Sequence, residues 1–165
     1  LFVEEGDTIV IADLSWDNYE LIFLHQRGAK VKTFSFFTED GGFNTEAMVE
    51  ALSSVEERKA HLLLNFPNNP TGYSLTEGEQ DEVVRALVAL ADGGLTLNVI
   101  TDDAYFGLLK RILPLNRSSP SSVTPMSAFL SSSVMPQRKK IWYGAFELAS
   151  SPTPPKVSLL NTTTH

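Results

Sequence analysis

Between Thr8 and Asp102, short apolar runs alternate with segments of helical period, and this alternation limits the possible folds more than any other feature of the chain. Thr8-Ile9-Val10-Ile11-Ala12 is a continuous apolar run ending at Asp13, the pattern of a strand buried on both faces. From Trp16 to Arg27, the residues Trp16, Tyr19, Leu21, Ile22, Phe23 and Leu24 suit a helix closed by Gly28. Lys30 to Phe36 alternates and carries β-branched residues, so it reads as a second strand. Asn44-Thr45-Glu46 opens a helix continued by Met48, Val49 and Leu52. Ala60 to Phe66 is a third strand, and Pro67 to Gly72 is a turn-rich loop. Thr76 caps a helix that runs to about Ala91, with Val83, Val84, Leu87, Val88 and Leu90 as its apolar face. Gly93-Gly94 ends it, and Leu97 to Ile100 leads a fourth strand to Asp102. The pattern predicts an α/β fold: a mostly parallel sheet with flanking helices and ligands gathered at the carboxyl ends of its strands.

Composition narrows the function classes. The 165 residues include no cysteine, which excludes a disulfide scaffold, thiolate chemistry and a cysteine-based zinc site. No apolar run reaches membrane-spanning length, and no basic-then-apolar signal opens the chain, so no membrane role is expected. A net charge of −7 argues against a general nucleic-acid or anionic-membrane binder. That average hides a break. Residues 1–108 hold 19 of the 20 acidic and 6 of the 13 basic residues, a net charge of −13. Residues 109–165 carry +6, with Glu147 as their sole acid, seven of the nine prolines and many Ser and Thr. The expected organisation is a folded unit over 1–108 and a basic, poorly ordered tail over 109–165. From about Arg111 onward that tail should add little to the core and form only short helix or strand.

Three groups carry chemistry at the predicted strand ends. Asp13, Ser15 and Trp16 follow the first strand, and a tryptophan there offers a flat face for stacking. Asn65-Phe66-Pro67-Asn68-Asn69-Pro70-Thr71-Gly72 follows the third. Ordinary turns use the same residue types, but an asparagine amide leaving a buried strand can also meet a ligand oxygen. Thr101-Asp102-Asp103-Ala104-Tyr105 follows the fourth. An aspartate at a buried strand end can hold a proton on a cationic ring nitrogen, because desolvation strengthens the pairing.

Taken in order, Ser15-Trp16-x-Asn18-Tyr19, then Asn69-Pro70-Thr71-Gly72, then Asp102-Asp103-Ala104-Tyr105 resemble the large domain of the class I/II aminotransferases, fold-type I pyridoxal-phosphate enzymes. The resemblance covers residues 1–108 and implies a role for each match. Trp16 would stack on the pyridine ring, Asn69 and Tyr105 would hydrogen-bond its phenolic oxygen, and Asp102 would pair with the protonated ring nitrogen, keeping the ring an electron sink. Leu14 departs from the family, in which many members have proline before Ser-Trp. The resemblance further implies pyridoxal 5′-phosphate as cofactor, amino-acid and 2-oxo-acid substrates, a cis Asn69–Pro70 bond, a homodimer in the intact family, and a biosynthetic, cytoplasmic setting.

Two elements of the family pattern are not found in this reading frame. One is the glycine-rich phosphate turn, which would lie upstream of Leu1. The other is the Schiff-base lysine, since Lys110, Lys139, Lys140 and Lys156 all lack its Ser/Thr-Lys context. Read one base out of register, however, Val134 to Thr153 permits an acidic string with a lysine shortly before a Trp-Gly-x-Arg-x-Gly-Phe segment. Trp142-Tyr143 then gives valine by necessity, and Phe146-Glu147 gives arginine or a stop. A frameshift near Leu108 to Lys110 would explain the change in composition. The expectation is therefore a fragment of a pyridoxal-phosphate-dependent aminotransferase, inactive as printed. A non-catalytic, cofactor-binding domain of a transcription regulator is the alternative, and a basic DNA-binding module encoded upstream of Leu1 would discriminate it. A generic α/β domain with coincidental turns is the third reading.

Overall fold

The computed structural model describes residues 3–105, 126–133 and 141–146. Its strands are β1 (Thr8–Ala12), β2 (Lys30–Phe34), β3 (Lys59–Asn65), β4 (Thr96–Asp102) and β5 (Ile141–Phe146). The helices are α1, α2 (Thr45–Ser53), α3 (Glu77–Asp92) and α4 (Met126–Ser133); α1 comprises the turn Asn18–Glu20 and a π-helical continuation, Leu21–Gln26. All strand pairs are parallel, in the order β2-β1-β3-β4-β5. The first four strands and three helices lie where the apolar pattern puts them, within one or two residues at most ends.

The order of the strands positions the site. From β1 the chain goes outward through α1 to β2, then returns through α2 and crosses β1 to reach β3, β4 and β5. Helices α2, α3 and α4 pack one face of the sheet around Val10, Leu62, Leu64, Leu97 and Val99. On the other face, α1 sets Tyr19 and Phe23 against Ile9, Ile11 and Leu63. The direction of winding therefore reverses between β1 and β3. Such a reversal opens a crevice at the carboxyl ends of the two strands, where α/β sheets bind ligands.

Burial follows from place in the sheet. Central β1 and β3 are buried almost throughout, hence the apolar runs Ile9 to Ala12 and Leu62 to Leu64. Edge strand β2 is mostly open, and its Lys30 and Lys32 hold Glu57 and Ser54. Charged side chains on an exposed edge discourage pairing with another chain. Helix α3 begins with a complete capping box, Thr76 with Glu79, and α2 is capped by Asn44 Oδ1 accepting from the Ala47 N–H at 3.0 Å.

The described part of the tail, 126–133 and 141–146, holds one short helix and one short strand. Met126 and Leu130 of α4 are each 2% exposed within the main core, and β5 extends the sheet beside β4 from Leu97↔Ile141 to Asp102↔Phe146. The Met126 and Leu130 spacing makes one helical stripe, and Ile141 to Phe146 is apolar enough for a strand. Averaging these short runs with the surrounding Ser and Pro concealed them. The four candidate lysines, Lys110, Lys139, Lys140 and Lys156, lie outside the described residues.

At the amino end of the sheet a partly buried ionic cluster fixes the entry into β1. Lys59 Nζ donates to both Asp7 carboxylate oxygens at 2.8 Å. His61 is fully buried, with Nε2 2.9 Å from Asp7 Oδ2 and Nδ1 3.3 Å from the Asn98 amide nitrogen. An amide nitrogen only donates, so Nδ1 accepts and the Nε2–H donates to Asp7. Burial holds His61 below its ordinary value of 6.5, despite Asp7 beside it. Burial pushes Asp7 upward, but the bonds from Lys59, the Glu4 N–H and His61 bring it down to about 2. As pH falls below 6.5 the unfolded chain takes up a proton that folded His61 refuses, so stability falls. Asp7 contributes stability above the ordinary value of 3.8, and it is lost toward pH 2. Urea midpoints measured against pH should therefore fall in two stages, and His61→Asn should flatten the upper stage and, by removing one donor to Asp7, also shrink the lower one.

Candidate functional site

The crevice between β1 and β3 collects the groups singled out in the sequence. Asn65 and Asp102 are register partners at the ends of β3 and β4. The Asn65 amide donates to the Asp102 carbonyl at 3.1 Å, and the Phe66 N–H donates to the same oxygen at 3.2 Å. Asn65 Oδ1 in turn accepts from the Asn69 N–H at 2.7 Å. Asn69 is thus fixed to the end of β4 through one buried side chain. Asn69–Pro70 is cis, as the resemblance implies, and Phe66–Pro67 is also cis. Gly72 takes a φ of +73°, a conformation side chains disfavour, and its N–H returns to the Asn68 carbonyl at 2.7 Å.

Asp102 is 2% exposed. Its Oδ2 accepts from the Tyr19 hydroxyl at 2.5 Å, and its Oδ1 from the Ala104 N–H at 3.0 Å. Among the described residues no cationic side chain forms an ion pair with it. Burial, then the neighbouring Asp102 carboxylate, pushes the Tyr19 phenol far above its usual range, so it stays a donor. Trp16 is half-buried in the turn before α1 and meets Tyr19 edge to face, with ring centres 5.5 Å apart. Tyr105 follows at 42% exposed.

The structure brings Trp16, Asn69 and Asp102 onto one edge through Tyr19 and Asn65, with Tyr105 three residues beyond Asp102. Asp13 lies at the same edge but is engaged by backbone: its Oδ1 accepts from the N–H groups of Leu14 and Phe36, each at 2.8 Å, joining the ends of β1 and β2. Ser15 is half-buried beside them. Asp103 ties β4 to the first turn of α4 through Ser127; burial raises its carboxyl and the Ser127 bonds oppose that. Sequence reasoning missed Tyr19 as a site residue. It counted as an apolar helix position and as part of the Ser15-Trp16-x-Asn18-Tyr19 motif, with no role of its own, although the Trp16 to Tyr19 spacing already put both rings on one side of that helix.

Comparison with known proteins bears on the family and the fold. The family model for aminotransferase class I and II matches residues 1–117, nine residues past the change in composition. An aromatic amino acid aminotransferase of Rhodococcus erythropolis is 30% identical over 103 residues, covering 62% of this chain and 26% of that protein. A histidinol-phosphate aminotransferase of Sulfurisphaera tokodaii is 29% identical over 107 residues, covering 63% and 27%. The chain spans about a quarter of the length of these curated relatives. The solved aminotransferase of Anaerococcus prevotii superposes with a TM-score of 0.68 at 29% identity, covering 88% of this chain and 34% of that one. That coverage exceeds what residues 1–108 alone could supply. N-succinyldiaminopimelate aminotransferase from Mycobacterium tuberculosis shares the fold, with a TM-score of 0.58 at 24% identity, covering 87% of this chain and 32% of that one. Among the described residues no helix is long and apolar enough to cross a membrane. By its sheet order, its strand-end residues and the extent of the family match, the chain belongs to the class I and II aminotransferases.

Proposed function

We propose that the β1–β3 crevice binds the ring of pyridoxal 5′-phosphate, and that the chain is a segment of an enzyme moving an amino group between an amino acid and a 2-oxo acid. The observation that carries this is Asp102, a buried carboxylate at the winding reversal with no cationic partner among the described residues. Burying such a group is costly unless a cation or donors meet it, and a protonated ring nitrogen is the cation this family supplies. When bound, the cofactor provides the electron sink for a carbanion at the substrate α-carbon.

The chain's own residues then divide the work. Asp102 holds the proton on the ring nitrogen. Tyr19 occupies one lone pair of Oδ2 and the Ala104 N–H one of Oδ1, so each oxygen keeps a lone pair for that nitrogen. Trp16 covers the ring face, and the Asn69 amide and Tyr105 hydroxyl donate to the phenolic oxygen. The same reading gives the intact protein amino-acid and 2-oxo-acid partners, a homodimeric assembly and a cytoplasmic, biosynthetic setting. Neither relative's substrate is carried over, because the match covers so little of their length.

Transfer itself needs a lysine at the cofactor. The described lysines lie elsewhere: Lys30 and Lys32 on the outer strand, and Lys59 at the opposite end of β3 from Asn65. Seven strand residues span about 20 Å, so Lys59 is out of reach of this edge. With no described lysine at this edge, and with Lys110, Lys139, Lys140 and Lys156 lacking the Ser/Thr-Lys context, we expect the chain to bind the cofactor without turning over any amino acid. An assay at saturating pyridoxal phosphate, with near-ultraviolet absorbance to follow binding, tests both halves. Turnover abolished by changing one of the chain's own lysines would contradict the inactive reading. The absence of binding would contradict the site.

A further inference from the structure

Glu79 lies on α3, away from the crevice, yet its carboxylate is where three segments meet. Oε2 accepts from the Thr76 N–H at 2.8 Å and the Thr76 hydroxyl at 2.7 Å, which completes the helix cap. Oε1 serves no cap. It accepts from the Phe43 N–H at 2.9 Å and from the Tyr73 hydroxyl at 2.5 Å. Burial pushes the Glu79 carboxyl upward, and the bonds from Tyr73, Phe43 and Thr76 more than offset it, so the group stays an acceptor.

Tyr73 closes the loop that carries Asn69. Its carbonyl accepts from the Asn68 N–H at 2.8 Å, and its N–H donates to Thr71 Oγ1 at 3.2 Å. Its ring stands edge-on to Phe36 and Phe37, at 5.8 Å and 5.3 Å. Inside the loop, Asn68 Oδ1 accepts from the Thr71 N–H at 3.1 Å and the Thr71 hydroxyl at 2.6 Å. Asn69 therefore has one anchor at Asn65, and the far end of its loop has another at the Tyr73–Glu79 pair.

We propose that Tyr73 and Glu79 are positioning residues, holding the 68–73 loop in the shape that aims Asn69 at the phenolic oxygen of the pyridoxal ring. The proposal rests on the assignment of Asn69 to that oxygen. Tyr73→Phe removes the hydroxyl and keeps the ring among its aromatic neighbours. Glu79→Gln keeps the length of the side chain while removing its charge, and Thr76→Ala weakens the cap while leaving the Tyr73 bond in place.

The test uses the full chain and two probes: 4-deoxypyridoxine 5′-phosphate, and the same molecule lacking the ring hydroxyl. Tyr73→Phe should bind the first probe about tenfold more weakly and the second unchanged, since one charge-assisted hydrogen bond is worth about that factor. Glu79→Gln should move the same ratio in the same direction, whereas Thr76→Ala should lower stability and leave the ratio alone. Without ligand, the Thr71 and Gly72 amides of Tyr73→Phe should exchange with deuterium about tenfold faster. Equal weakening of both probes, or unchanged exchange at those amides, would overturn the positioning role. A wild-type chain that binds neither probe would overturn the Asn69 assignment, and this proposal with it.

Discussion

Asp102→Asn is expected to weaken binding of 4-deoxypyridoxine 5′-phosphate by about 10- to 100-fold while leaving the chain folded, the range of one hydrogen bond to a charged group. The substitution keeps an oxygen to accept from Tyr19, so the buried phenol stays satisfied. Its amide nitrogen faces the Ala104 N–H, but Ala104 is exposed and can turn to water. What disappears is the negative charge that a ring nitrogen needs. Asp102→Ala should behave differently. It also strands the Tyr19 hydroxyl in the core, at a cost of about 1–3 kcal/mol of stability. Isothermal titration for the first variant and urea unfolding for the second separate these effects. Equal affinity of Asp102→Asn and wild type would remove the carboxylate from the site.

Leu130→Ala is expected to cost about 2–4 kcal/mol, the range for a buried leucine whose cavity does not collapse. The residue is 2% exposed and belongs to the same core as Val83 and Leu87 of α3. Urea unfolding checks the value. A loss of this size makes α4 part of the cooperative unit, in agreement with the extended superposition on the Anaerococcus prevotii enzyme. A loss near zero favours the out-of-register reading of the tail. The gene sequence bears on the same question, because the third bases of codons 134–153 either permit the shifted string or break it with stops.

The sheet was legible because its central strands are buried on both faces. Such strands are written as nearly continuous apolar runs, and Ile9 to Ala12 and Ala60 to Leu64 are of that kind apart from His61. His61 looked like a break in the run, and only the fold supplies its partner Asp7, 54 residues away. The ends of β1, β3 and β4 were legible because turn and capping residues are local in sequence. Tyr19 was not, because its importance comes from a carboxylate 83 residues later. The π-helical widening of α1 was also hidden: Leu21 to Gln26 reads as ordinary helix, with Tyr19 and Phe23 on one face and Leu21 and Leu24 exposed. In the tail, short apolar stripes were outweighed by the Ser and Pro around them, and tertiary packing restored them.

The central claim is that this strand-end crevice receives a pyridoxal ring. With Trp142 changed to Phe, Trp16 is the single remaining tryptophan and reports directly from the crevice. Titration with 4-deoxypyridoxine 5′-phosphate, which lacks the aldehyde and cannot react with surface lysines, should quench Trp16 fluorescence in a saturable curve that Asp102→Asn shifts to higher concentration. Fluorescence that does not respond to the ligand, or a curve that Asp102→Asn leaves in place, would contradict the account.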